Sequence, residues 1–194
     1  MEYNRELFTI SIVKANIIAI IGIIPVLLIF GLPYFLLWGS KYNIDSVTEI
    51  LHHSSPKSLL YGLLYAFIII IIGAIIHELL HGITWSFFTK ERWKSIHFGF
   101  IWQMLTPYCH CSEPLPLKHY IAGAVIPGII LGQIPAIISI IIGNIYLLAF
   151  GVFFTLAAFG DFIIIYKLRN LDSNTMILDH ETEAGCWVYR NLTE

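Results

Sequence analysis

Residues 68–82, IIIIIGAIIHELLHG, constrain this chain more than any other stretch. So continuous an apolar run must be buried or lie in lipid. It nevertheless ends in two histidines and a glutamate, and His77-Glu78-Leu79-Leu80-His81 is an HExxH pattern. On a helix, His77 and His81 lie one turn apart on one face. Two imidazoles so placed can hold one Zn²⁺ and leave positions for a third ligand and a water. Glu78 is rotated by ~100° from His77, so it flanks the metal and works on its water instead of ligating. The metal lowers the pKa of that water, and the carboxylate takes the proton and later returns it to the leaving amine. Ionisable groups inside an apolar segment are expensive and are functional by default.

The composition points the same way. Of 194 residues, 57% are hydrophobic and 12% charged, with a mean hydropathy of +0.77. These are the proportions of an integral membrane protein, and the length allows one membrane-embedded, metalloprotease-like domain over residues 1–194. A net charge of −2 gives no case for nucleic acid as a partner. Cys109, Cys111 and Cys186 are an odd number and form no disulfide framework. The N-terminal residues include acidic side chains and lack a small-residue cleavage site, so they read as a retained segment, not a signal peptide.

The expected fold is an all-α integral membrane protein with about four transmembrane helices and a short cytoplasmic β-hairpin-like loop after the second. Residues 1–14 suit a short interfacial helix. The spans fall at about residues 16–38, 59–88, 120–142 and 145–166. Pro25 and Pro33 interrupt the first and Pro127 and Pro135 the third, where a kink is expected. Gln133 there can bond to a neighbouring helix or line a cavity. Trp38 and Tyr42 suit an interface, and Gly143-Asn144 is a tight turn. His52-His53 in the first loop read as a solvated pair. Residues 89–119 alternate, with Ile96, Phe98, Phe100 and Trp102 on one face. That pattern predicts a strand, paired as a hairpin with residues 107–111, whose edge near the metal could align a peptide by strand addition. Residues 167–194 read as a polar cytoplasmic tail.

Four spans put the N-terminus, the 89–119 loop and the tail on one side. That side carries Arg5, Lys14, Lys90, Arg92, Lys94, Lys118, Lys167, Arg169 and Arg190, against Lys41 and Lys57 on the other. The chain is therefore expected in the cell membrane with both termini cytoplasmic. Spans two and four both run inward. His77 lies about 18 residues into one, ~27 Å, and Asp161 about 16 into the other, ~24 Å. The lone aspartate of span four should reach the histidines, and it is the expected third ligand of Zn²⁺. The other candidates are Glu91, Glu113 and the Cys109-His110-Cys111 group, of which His110 could instead contact a substrate or an oxyanion. Thr84 and Phe87 stand where the metzincin extension needs Gly and His, which excludes that class. Asp179 and Glu181 read as a solvated face.

An HExxH near the end of one apolar helix with an aspartate on a later one resembles the site-2 protease type of intramembrane metalloprotease, although the order here is Gly160-Asp161 where that group has Asp-Gly. The chain more closely resembles a family of small bacterial membrane proteins described as putative zincin peptidases. That resemblance covers about residues 60–190. It rests on His77-Glu78-Leu79-Leu80-His81-Gly82, on Pro107-Tyr108-Cys109-His110-Cys111 with Glu113-Pro114-Leu115, on Gly160-Asp161, and on Asp179 with Gly185. It implies a zinc-dependent peptidase and names no substrate. The expected function is hydrolysis of a peptide bond of a membrane protein or peptide near the cytoplasmic face. Glu78 would be the base, with Zn²⁺ on His77, His81 and Asp161. The competing reading is a non-catalytic metal-binding scaffold or sensor in the bilayer. A transporter would spread polar groups across the full thickness, whereas here they cluster at one face. The sequence sets no oligomeric state.

Overall fold

The computed structural model describes residues 3–41, 55–102, 106–180 and 185–191. The expected loop pair His52-His53, Tyr42 and Glu181 lie outside them. The chain is mostly helical. After strand β1 (Tyr3–Thr9) come α1 (Ile12–Val26), α2 (Leu32–Trp38) and the long α3 (Pro56–Ser86). The hairpin strands β2 (Ile96–Ile101) and β3 (Thr106–Cys111) and the short β4 (Leu115–Pro116) lead to α4 (Leu117–Pro127) and α5 (Ile134–Ile142). The chain ends with α6 (Ile145–Ala157), α7 (Phe159–Leu168), β5 (Met176–Asp179) and β6 (Gly185–Asn191).

Among the described residues three stretches are long and apolar enough to cross a membrane: Ile17–Lys41, Pro56–Ser86 and Leu117–Ile142. The pair Ile145–Ala157 and Phe159–Leu168, bent by 41°, makes a fourth if it acts as one span. Helix α3 starts cleanly because the Ser55 hydroxyl accepts from the Ser58 amide at 3.2 Å and Pro56 stands where no N–H is needed. Side chains along it such as Leu63, Leu64 and Phe67 are exposed, an arrangement that water disfavours and lipid accepts.

Prolines shape the first and third of these stretches in the same way. A π-helical turn, Leu27–Gly31, joins α1 to α2, and another, Gly128–Gln133, joins α4 to α5. Each lies between a proline pair, Pro25 with Pro33 and Pro127 with Pro135. Leu32 donates its N–H to the Leu27 carbonyl and Ile134 donates to Ile129, one residue further back than in an α-helix. The wider turn makes room for the following proline ring. The interruption expected in the third span is thus absorbed as an extra residue per turn. At Gly143 the backbone turns left-handed, with φ 70°, and Asn144 caps α6 by accepting from the Leu147 amide at 3.0 Å.

The all-α expectation needs correction, as do its two ends. Residues 3–9 form a strand, not an interfacial helix, and the tail supplies two strands. Together with β4 they build an antiparallel sheet in the order β1-β6-β5-β4. The physical reason is a period of two that short segments carry weakly in sequence. Cys186 and Val188 on β6 and Ile177 on β5 have no exposed surface; they alternate with half-buried Trp187 and Leu178. Pairing between the two ends of the chain, Glu6 with Val188 and Phe8 with Cys186, completes the sheet. The expected hairpin is present, with His97 opposite His110 and Phe98 opposite Cys109.

Two cores result. One joins helices α1, α2, α5 and α6 through Val26, Phe30, Tyr34, Ala136 and Leu148. The other lies beneath the sheet, where Trp85, Tyr120, Leu115 and Leu168 meet Ile177, Cys186 and Val188. The HExxH segment ends in this second core.

Candidate metal centre and cleft

His77 and His81 leave the same face of α3 and are almost entirely buried, at 8% and 5% exposure. Asp161 reaches them from α7. Its Oδ2 lies 3.4 Å from His77 Nε2 and 3.6 Å from His81 Nε2. One ligand atom from each of the three falls within 4.8 Å of the others. The bend at Ala158 matters here, because it starts α7 at Phe159 and puts Asp161 in that helix's first turn. A carboxylate is favoured at such an end, so the break in the expected fourth span is also what supports its one charge.

These separations fit a shared cation. They are too long for strong hydrogen bonds. They match the ~3.3 Å between two ligands on a tetrahedral zinc at bonds of ~2.0 Å. Two imidazoles and a carboxylate are also a donor set that zinc takes. The tautomer of His81 agrees. Its Nδ1 donates to the Gly123 carbonyl at 2.9 Å, which leaves the Nε2 lone pair facing the other two groups. Gly123 can serve because it has no side chain: a Cβ there would overlap the Trp85 indole. Trp85 in turn donates Nε1–H to the Tyr120 carbonyl at 3.1 Å. The His81, Trp85 and Tyr120 rings form a stack, with centroids 5.2 and 5.5 Å apart.

The three groups line a cleft of about 260 Å³. Glu78 lines it too, and its carboxylate interacts with the backbone N–H of Cys109 on β3. Gly82 allows this approach, since a Cβ there would lie 2.7 Å from the Phe98 ring and 3.3 Å from Cys109 Sγ. The hairpin therefore packs directly onto the HExxH helix. Tyr120 and Asp179 close the far wall.

The other expected candidates are placed elsewhere. Glu113 accepts from the Lys90 and Glu91 amides at 2.9 Å each and from the Ser95 hydroxyl. It holds the turn after α3, and these bonds, that of Ser95 first, lower its pKa. His110 is buried on β3 but is not among the residues lining the cleft. It faces Asp179 instead, Nδ1 to Oδ2 at 3.5 Å, and lines an adjoining hollow. Cys109 lines the cleft as a thiol whose pKa burial pushes up; burial also takes Cys111 up to about 11. Gln133 sits in the second π-helical turn.

Asp179 is a correction. The sequence suggests a solvated face there, yet its side chain is only 12% exposed. It shares a face of β5 with buried Ile177 and stands opposite Cys186, so it points inward. There its Oδ1 accepts from the Tyr120 hydroxyl at 3.2 Å, and its Oδ2 from the Cys111 amide at 3.4 Å. Sequence reading also missed Tyr120 and Gly123. Their three-residue spacing on one helix face, at the start of an apolar span, was the available signal.

Comparison with known proteins gives one positive result. Residues 58–176 match the sequence profile of the family described as "Putative zincin peptidase". Searches of curated proteins and of solved structures gave no match.

Proposed function

Because the chain belongs to the putative zincin peptidase family, a metallopeptidase at that coarse level, we propose that it is a zinc-dependent peptidase acting in or beside the membrane. The observation that carries this reading is the convergence of His77 Nε2, His81 Nε2 and Asp161 Oδ2 next to Glu78. His77, His81 and Asp161 would hold Zn²⁺. When bound, the ion supplies a Lewis acid for the scissile carbonyl and a water of lowered pKa.

The chain's own groups do the rest. Glu78 takes the proton of the attacking water on its carboxylate and passes it to the leaving amine nitrogen. The Gly123 carbonyl holds the His81 ring in the tautomer that leaves Nε2 free. Strand β3 positions the substrate. The Ser112 amide points toward β2, where it bonds to the Ser95 carbonyl at 2.9 Å. The amides of Cys109 and Cys111 therefore point the other way, toward Glu78 and Asp179. That outer edge runs along the cleft, and an extended peptide can lie beside it.

The bilayer is the setting that suits the exposed apolar helices. The sheet gathers residues 3–9, 115–116, 176–179 and 185–191, the segments that flank the apolar helices on the side the sequence makes richer in Lys and Arg. We assign this side to the cytoplasm, so the cleft opens near that face and takes a membrane protein or peptide as substrate.

The test is a quenched-fluorescent peptide library cleaved by the purified full chain in detergent, with metal content measured in parallel. Wild type should hold about one zinc per chain. Glu78→Gln should keep it and lose cleavage by about 10²–10⁴-fold. Asp161→Ala should lose both. Cleavage that survives Glu78→Gln overturns the assignment. Zinc bound without hydrolysis in the wild type turns it into a metal-binding scaffold.

A further inference from the structure

Beside the cleft lies a second hollow, of about 320 Å³. It shares a wall with the cleft, because Asp179 and His180 line both. Its other polar groups come from Arg5, His110 and Ser112, over the ring of Trp187. The Arg5 guanidinium carbon sits 4.8 Å from the centre of that ring. Among the described residues no carboxylate lies within ion-pair distance of Arg5.

The one described acid lining the hollow is engaged by its own donors and makes no ion pair with Arg5. Both oxygens of Asp179 are already used, Oδ1 by Tyr120 and Oδ2 by the Cys111 amide, with His110 Nδ1 opposite. His110 is 7% exposed, and that Nδ1 completes no hydrogen bond of good geometry with any described residue. The Ser112 hydroxyl donates to the Ser95 carbonyl at 3.1 Å and lies 3.3 Å from His97 Nε2. What the hollow offers a visitor is therefore the guanidinium of Arg5, while the Asp179 carboxylate is held back by its own donors. A guanidinium stacked on an indole is held in place in advance and presents its fork to a planar anion. Little side-chain freedom remains to be lost on binding.

We propose that this hollow is a subsite for an anionic group, and specifically for a carboxylate side chain of the peptide held in the neighbouring cleft. This rests on the peptidase reading of that cleft. The outer edge of β3 connects the two places, from Glu78 at Cys109 to Asp179 at Cys111, and the hollow begins at the next residues, His110 and Ser112 on one wall and Leu178 to His180 on the other. A peptide lying along that edge carries its side chains on into the hollow. Arg5 thereby selects among substrates, as a specificity determinant and not as part of the reaction.

The test is direct binding, so it does not depend on turnover. The full chain carrying Glu78→Gln, in detergent, is titrated with acetyl-Ala-Glu-Ala-amide, with acetyl-Ala-Gln-Ala-amide and with sn-glycerol 3-phosphate. We expect the Glu peptide to bind about ten-fold more tightly than the Gln peptide. Adding Arg5→Gln should bring the ratio to about one, whereas Arg5→Lys, which keeps the charge but not the fork, should preserve part of it, which separates loss of charge from loss of fold. Equal binding of the two peptides overturns the subsite, as does a preference that survives Arg5→Gln. Tighter binding of glycerol phosphate than of the Glu peptide assigns the anion to a lipid headgroup and overturns the substrate assignment. Because the cleavage test with Glu78→Gln is separate, the peptidase reading can fail while the subsite stands, and the reverse.

Discussion

Trp85 covers Gly123 so closely that no side chain fits between them: a Cβ on Gly123 would overlap the indole Nε1. The contact fixes how far α4 stands from α3. It also fixes where the Gly123 carbonyl meets His81 Nδ1, at 2.9 Å. Gly123→Ala must therefore push the two helices apart and withdraw the acceptor that orients a candidate ligand. We expect zinc affinity to fall by about 10–100-fold, the usual cost of losing such an outer contact, while the helices persist. Competition with a chromophoric chelator measures it, and wild-type affinity in Gly123→Ala would show that the carbonyl does not hold the ring.

The cysteines give a second prediction. Burial pushes the Cys111 thiol up to about 11 and the Cys186 thiol up to about 12. Both side chains are almost without exposed surface. Against an ordinary thiol, a pKa of 11 lowers the thiolate fraction near neutral pH by about two to three orders of magnitude. Folded protein at pH 7.5 should leave both unlabelled by iodoacetamide on a timescale that labels all three cysteines in denaturant, as read by intact and peptide mass. Rapid labelling of Cys186 in the folded chain would mean that the sheet opens over it.

Glu113 gives a pH dependence. Its folded-state pKa is lowered, by the Ser95 hydroxyl first and then by the Glu91 amide. A carboxylate with a depressed folded pKa contributes stability above its unfolded pKa, ~4.3, and loses it as pH falls through the folded value. The turn at residues 89–95 should thus be protected from hydrogen exchange at neutral pH and lose protection in acid, below about pH 4. Glu113→Gln should remove the protection at neutral pH and flatten the profile. An unchanged profile would remove the carboxylate from the account of this turn.

How much was legible in the sequence differs between residues for physical reasons. The apolar helices could be read because twenty or more residues repeat one instruction. The approach of Asp161 to His77 could be anticipated because helix rise converts residue counts into depth. Asp179 could not. Its direction depends on sharing a face with Ile177 in a strand of four residues, and on a partner, Tyr120, from a helix far earlier in the chain. Strand β1 was invisible for a related reason: YNRELFT has little preference of its own, and what makes it a strand is β6. The break at Ala158 was equally hidden, since Phe153 to Tyr166 reads as one apolar run with a single charge. Gly123 and Gly82 looked like ordinary small residues of a membrane segment until the groups pressed against them were known.

The pairing of β1 with β6 also orders events in time. Strand β1 must wait for a strand that follows the apolar helices in the chain, so the cleft wall that holds Asp179 and Gly185 closes only after those helices have been synthesised. Contacts of such long sequence separation form slowly, and until then β1 is an open edge that any other strand could capture. A nascent chain would carry its histidines in place but lack the far side of the cleft. Strands β1 and β6 act as a late latch, and the site behind them is completed only when the two have paired.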